Sequence, residues 1–304
     1  MFAAPPVIET RVFARIPDRY RTKGRSSAWI DAQRGGLPTE CFLEGPAFDR
    51  AGNLYVVDVP WGRVFRISPG GDVELVCEYD GEPNGLKFHR DGRAFIADFR
   101  HGIMQLDPTT GSVTPIVNRL GVERFKGVND LVFTRIGELY FTDQGHSGLH
   151  DPSGRVYRLT DTGDLEIVLQ NIPSPNGLAF APDESILYVT VTRDNAVWRV
   201  PLLRGRIPYK VGAFIRLSGG TGPDGLAVDE QGGLAVAHIG LGSVWLFDQF
   251  GEPTARVRSC AGRATTNIAF GGTDRRQLYI TEGDTGQVLV ADVPVAGLPL
   301  FSHC

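Results

Sequence analysis

Six times along this chain the same short phrase restarts, each time with an oxygen-bearing side chain at its head. The phrases are Glu44-Gly-Pro-Ala-Phe, Asn84-Gly-Leu-Lys-Phe, Asn129-Asp-Leu-Val-Phe, Asn176-Gly-Leu-Ala-Phe, Asp224-Gly-Leu-Ala-Val and Asn267-Ile-Ala-Phe. Their spacing, roughly 45 residues, is that of a β-propeller with one blade per repeat. If the head residue opens the same strand in every blade, all six face the central axis of a closed ring. Two carboxylates and four amides around one channel would suit a hard, oxygen-seeking cation.

The strands within a repeat follow one grammar. In the first, Leu43–Phe48 reads as a strand, Asp49–Gly52 as a turn, Asn53–Asp58 as a second strand, Arg63–Ser68 as a third and Val73–Cys77 as a fourth. Short apolar runs between Gly, Asp and Pro punctuation are what half-buried strands require. The second strand recurs as Ala94–Asp98, Glu138–Asp143, Ile186–Thr190, Gly233–His238 and Gln277–Thr281. The sequence therefore predicts an all-β, six-bladed β-propeller with four antiparallel strands per blade.

All 304 residues are assigned to a single domain: 1–41 a closing strand and mouth-covering segment, 42–292 the six repeats. The 38 Gly and 20 Pro supply the turns such a chain needs. Blade six lacks a fourth strand of its own, and Pro6–Arg15 has the alternation to provide it. Pairing there would close the ring and cover an otherwise open edge.

A net charge of −4 argues against nucleic acid as a partner, and no apolar run approaches the roughly 20 residues that span a bilayer. The start, MFAAPPVIETRVF, has neither a basic nor an apolar leader region, so no signal peptide is expected. Cys41, Cys77, Cys260 and Cys304 show no framework spacing and read as free thiols in a reducing, cytoplasmic setting.

Topology singles out one set of loops. The second strand runs antiparallel to the first, so the loops after the second strands surround the mouth at which the head residues lie. They carry Trp61, Arg100, His101, His146, Arg193 and Glu282, and with Asn84 and Asn129 they outline a substrate pocket. Trp61, Arg100, His101, Asn84 and Asn129 are the expected substrate contacts. His146 is a candidate for substrate contact or acid–base work, whereas a Ser147–His nucleophilic pair finds no strained elbow in this Gly-rich loop. No GxSxG, HExxH, GxxxxGK[ST] or GxGxxG motif is present.

Glu44, Asn129, Asn176 and Asp224 form the expected metal set: all oxygen donors, with positions left for water or substrate. One divalent cation is expected, Ca²⁺ first, with Mn²⁺, Zn²⁺ or Mg²⁺ as alternatives. Such an ion polarises a carbonyl or phosphoryl oxygen.

At Glu44-Gly-Pro, Val128-Asn-Asp-Leu-Val, Leu139-Tyr-Phe-Thr-Asp143, Pro175-Asn-Gly-Leu-Ala and Pro223-Asp-Gly-Leu-Ala-Val-Asp229 the chain resembles the gluconolactonase/regucalcin family of six-bladed propeller lactonases. The resemblance implies a cation held by Glu44, Asn176 and Asp224, with Asn129 as a further ligand or substrate contact. It implies that Asp224 activates water and that Asp130 supports the site from behind. Lys126-Gly-Val-Asn129 replaces the Arg-x-Asn of many sugar-lactone members, and Gln144-Gly-His-Ser-Gly replaces their Pro-Pro-Tyr-Gly. Both departures bear on an aldonolactone substrate and leave the metal set intact.

The expected function is metal-dependent opening of a lactone ring, the cation polarising the carbonyl while a carboxylate-activated water attacks. Two alternatives stand beside it. One is an organophosphate or aryl-ester hydrolase on the same centre; the other is a non-catalytic, metal-braced propeller that binds a partner.

Overall fold

A lone four-stranded blade cannot bury both of its faces, so each repeat is stable only when sandwiched between neighbours. The computed structural model describes residues 4–303, and in it six small antiparallel sheets stand in a ring. Blade one consists of Leu43–Phe48, Leu54–Asp58, Arg63–Ile67 and Val73–Glu78, paired in chain order. The first strands of the other blades are Pro83–Phe88, Val128–Phe133, Pro175–Phe180, Gly222–Val228 and Thr265–Gly271.

These inner strands touch in sequence around the axis, the sixth against the first. Apolar side chains fill the wedges between blades. Ala47, Tyr55, Val57 and Val64 of blade one, for example, meet Leu86, Phe88, Ile96 and Met104 of blade two.

The ring is closed by the N-terminal strand. Arg11–Arg15 pairs antiparallel with Gln287–Asp292 as the outer strand of blade six, Val12 opposite Leu289. The sequence suggests one continuous strand over Pro6–Arg15, but the segment splits. Val7–Glu9 instead adds a parallel fifth strand to blade five, Ile8 opposite Val257.

Thr10 makes the break. Its hydroxyl donates to the Arg258 carbonyl at 3.0 Å and accepts from the Cys260 amide at 2.9 Å. The side chain is thereby tied to blade five before the chain steps across to blade six.

The chain then crosses the mouth of the ring. Arg63 Nη1 donates to the Tyr20 carbonyl at 2.6 Å, anchoring the crossing to blade one. A short helix, Ala28–Arg34, follows; the Ser27 hydroxyl accepts from the Ile30 amide at 3.3 Å, and Gly35 ends the helix at φ 60°. Trp29 and Ile30 pack against Phe42, Val59 and Ala264, seating the helix on the mouth.

The far end of the channel is covered by the C-terminal segment. Leu298 N donates to the Val228 carbonyl at 3.0 Å, and the Phe301 ring lies 4.8 Å from that of His89. Cys41, Cys77 and Cys260 are free thiols; Cys304 lies outside the described residues. No helix among the described residues is long and apolar enough to cross a membrane.

Candidate metal centre

In every blade the ladder between first and second strands shifts register at the head of the first strand. The breaks fall between Glu44 and Ala47, Pro83 and Gly85, Val128 and Leu131, Pro175 and Leu178, Pro223 and Leu226, and Thr265 and Ile268. A bulge bends the strand and re-aims a side chain. Five head residues, Glu44, Asn84, Asn129, Asn176 and Asp224, thereby line one cavity of about 410 Å³. All five are buried, at 4–7% exposure.

Blade six departs by one residue. Ala269 faces Tyr279 just as Val132 faces Tyr140, so Thr266, not Asn267, holds the head position. The Thr266 hydroxyl donates to the Leu43 carbonyl at 2.8 Å. Asn267 stands at the next place, where blades one, two, four and five have glycine.

Those glycines lie within strands rather than in turns. A Cβ on Gly85 would sit 2.5 Å from Asp130 Oδ1, and one on Gly225 would sit 2.0 Å from Asn267 Oδ1. The inner strands converge too closely for a side chain there. Only the third and sixth blades carry one, Asp130 and Asn267, and the two meet: Asn267 Nδ2 donates to Asp130 Oδ2 at 3.2 Å. This bond lies behind the floor of the cavity, outside its lining.

Threonines on the second strands hold the heads of the next blade. Thr142 Oγ1 donates to the Asn176 carbonyl at 2.7 Å, and Thr190 Oγ1 donates to that of Asp224. The acidic residues that end several second strands serve the loops instead. Asp58 accepts from Phe42 N, Asp98 from Glu82 N, Asp143 from Gly127 N and Glu282 from Ala264 N.

Asn129 is oriented by its neighbours. Its Nδ2 donates to Gln144 Oε1 at 3.0 Å, and Gln144 Nε2 donates to Ser174 Oγ at 2.8 Å. With the amide nitrogen engaged, the amide oxygen remains the group available to a ligand. Ser147 Oγ donates to the Gln144 carbonyl and accepts from Ser174 N at 3.0 Å, so this hydroxyl braces the loop.

Electrostatically the floor is unbalanced. Burial pushes the carboxyl of Glu44 well above its usual range, and the charge of Asp224 adds to the shift. Burial, then the charge of Asp130, raises Asp224 in the same way, against the hydrogen bond from Asn176 and the charge of Arg193. Among the described residues no ion pair reaches Glu44, Asp130 or Asp224. Buried carboxylates outside any ion pair are costly, and a bound divalent cation would reverse that cost.

The donor set fits such an ion. Two carboxylates and three amides are hard oxygen donors. Among the described residues no three His, Cys, Asp or Glu side chains could hold a metal by themselves, so amide oxygens are a necessary part of any site here.

The other sequence candidates lie elsewhere. Trp61, Arg100 and His101 are outside the cavity lining. Arg25 stacks over the Trp61 ring, Arg100 pairs with Asp80, and His101 Nε2 contacts the Asp80 carbonyl at 2.7 Å. His146 is exposed in a neighbouring depression, its ring edge-on to Phe99 at 5.7 Å.

His238 is wholly buried, its Nδ1 accepting from Trp245 Nε1 and its Nε2 in contact with the Gly219 carbonyl. Sequence analysis gave no role to Trp29, Arg34, Gln144 and Arg263, which do line the cavity. The loop position of Gln144 was the one available signal.

The family profile described as SMP-30/Gluconolactonase/LRE-like region matches residues 42–284. Lactonase drp35 of Staphylococcus saprophyticus is 32% identical over 239 residues, covering 75% of this chain and 72% of its own. The drp35 of Staphylococcus aureus strain MRSA252 is 32% identical over 241 residues, with the same coverage.

Among solved structures, the calcium-binding protein regucalcin of Agrobacterium tumefaciens superposes with a TM-score of 0.79 at 22% identity, over 100% of both chains. A gluconolactonase of Xanthomonas campestris does so with 0.75 at 24% identity, over 90% of this chain and 99% of its own. At those identities the likeness speaks to the fold alone. Profile and relatives together place the chain: it belongs to the SMP-30/gluconolactonase/LRE-like family of six-bladed β-propellers.

Proposed function

We propose that the chain is a metal-dependent hydrolase that opens a lactone ring. The observation carrying this is the floor of the cavity, where buried Glu44 and Asp224 lie with Asn129 and Asn176 and form no ion pair among the described residues. The drp35 relatives are lactonases, and family membership puts the same class of chemistry here.

Glu44, Asn129, Asn176 and Asp224 would hold the ion, and their oxygen chemistry favours Ca²⁺ over softer metals. The bound cation would supply Lewis-acid polarisation of the scissile carbonyl. Asp224 takes the proton of the attacking water, a contribution of about 10²–10⁴-fold for a positioned base. Asn84 and Asn129 contact the substrate beside the carbonyl, and Gln144 keeps the Asn129 amide turned toward it. Asp130, tied to Asn267, holds the floor from behind. Trp29, Leu37, Phe42, Phe99 and Ile239 form an apolar wall that limits water around the reacting centre.

The product is the open hydroxy acid. Cys41, Cys77 and Cys260, all free, suit a reducing compartment, and a cytoplasmic location belongs to the proposal. The test is a lactone panel followed by pH-stat, with exhaustive chelation and re-addition of Ca²⁺, Mn²⁺, Zn²⁺ or Mg²⁺. Activity should vanish with the metal and return with at least one ion. Full activity in protein shown to be metal-free would refute the mechanism.

A further inference from the structure

Above the acidic floor, the mouth of the cavity carries three guanidinium groups, those of Arg34, Arg193 and Arg263. Arg34 is engaged: its Nη2 pairs with Asp284 at 3.1 Å and its guanidinium lies over the Phe42 ring. The guanidinium groups of Arg193 and Arg263 have no hydrogen-bond or ion-pair partner among the described residues. Both side chains are exposed at the rim, yet both stand on fixed backbone.

Arg193 lies in the turn Thr192–Asp194, where Thr192 N donates to the Ser174 carbonyl at 3.0 Å and Thr192 Oγ1 to that of Pro223 at 2.8 Å. The Arg263 carbonyl accepts from Gly240 N at 2.8 Å and Gly242 N at 3.1 Å. The two stations flank blade five, which carries Asp224. Between rim and floor stands the apolar wall. The cavity is thus polar at the bottom, apolar at the side and cationic at the top.

A neutral ring would leave both guanidinium groups at the rim without a paired contact among the described residues. An anion projecting from the ring would meet them, and arginine matches carboxylate geometry with paired N–H donors. We propose that the substrate is an anionic lactone, its carboxylate held by Arg193 and Arg263 while its ring carbonyl reaches the acidic floor. This rests on the lactonase proposal and names the substrate class within it. The same cationic rim draws anions toward the mouth, so the preference weakens as salt rises.

The experiment uses the full chain with its divalent cation and two matched probes, γ-butyrolactone-γ-carboxylate and the γ-carboxamide. The carboxylate should be hydrolysed with roughly tenfold or greater kcat/KM, the size of one good charge-assisted contact. Arg193→Gln and Arg263→Gln should collapse that ratio toward one, mainly through KM, and Arg193→Lys should restore part of it. Equal turnover of both probes by the wild type, or variants that leave the ratio unchanged, would overturn the inference and leave the lactonase proposal standing.

Equilibrium binding of tetrahydrofuroate against tetrahydrofuramide separates the two ideas without turnover. Binding selective for the anion and lost in the arginine variants, with neither lactone hydrolysed, would support the anion site and refute the lactonase proposal. No preference for the anion in binding would refute the anion site directly.

Discussion

Replacing Gln144 with Leu probes how the amide of Asn129 is aimed, because Leu keeps the bulk and removes both hydrogen-bonding ends. Asn129 is 5% exposed, and its Nδ2 donates to Gln144 Oε1 at 3.0 Å. Without that acceptor the buried N–H is left unsatisfied, at a cost of about 1–3 kcal/mol. The amide can recover a partner only by rotating, which turns its oxygen away from the floor. If the whole cost falls on the ion-bound state, cation affinity drops by roughly 5- to 150-fold.

Calorimetric titration with Ca²⁺ reads the affinity, and melting of the chelated protein reads any general loss of stability. Ser174→Ala removes only the acceptor for Gln144 Nε2, bonded at 2.8 Å, and should give a smaller loss in the same direction. A folded Gln144→Leu protein that binds Ca²⁺ with wild-type affinity would show that Asn129 is not a ligand or is held by something else.

Two further outcomes are expected. Asp224→Asn keeps an oxygen donor but removes charge and basicity, so turnover should stay roughly 10²-fold or more below wild type at saturating metal. Glu44→Gln should instead recover most of its rate as metal is raised, and near-normal turnover of metal-saturated Asp224→Asn would remove the base role. Deleting the chain through Arg15 uncovers the edge of Gln287–Asp292 and the cluster around Ala14. It should lower the melting temperature or cause aggregation, and a monomer that melts as wild type does would refute the closing role of that strand.

Architecture was legible because each blade repeats the same conflict between apolar strands and turn residues, and six repeats average away local ambiguity. The head residues were legible for the same reason, except in blade six. There the phrase is one residue shorter, and matching on asparagine hid the fact that Thr266 holds the head while Asn267 fills the glycine place. Side-chain chemistry alone could not show this; the register of Ala269 against Tyr279 does.

The loops were harder. Arg100 and His101 are charged or polar groups on mouth-side loops, like Arg193, yet Asp80 draws both aside through contacts local to blade two. The Arg193 guanidinium makes no such paired contact among the described residues and stays on the cavity lining. The split of Pro6–Arg15 was invisible because both halves alternate as a strand should. What separates them is a hydroxyl, that of Thr10, whose partners lie some 250 positions away in sequence.

That latch also sets a clock. Val12 leaves the ribosome long before its partner Leu289, with five blades of chain between them. Blades one to five can condense as they emerge, each on its predecessor, while the leading strand waits with its own edge unpaired. Joining distant ends costs little more entropy for a long loop than for a moderate one, so the delay is kinetic rather than thermodynamic. Contacts of such long range form slowly and expose strand edges in the interval. The vulnerable species of this protein is therefore the nearly complete ring, open by one strand, for as long as synthesis and closure take.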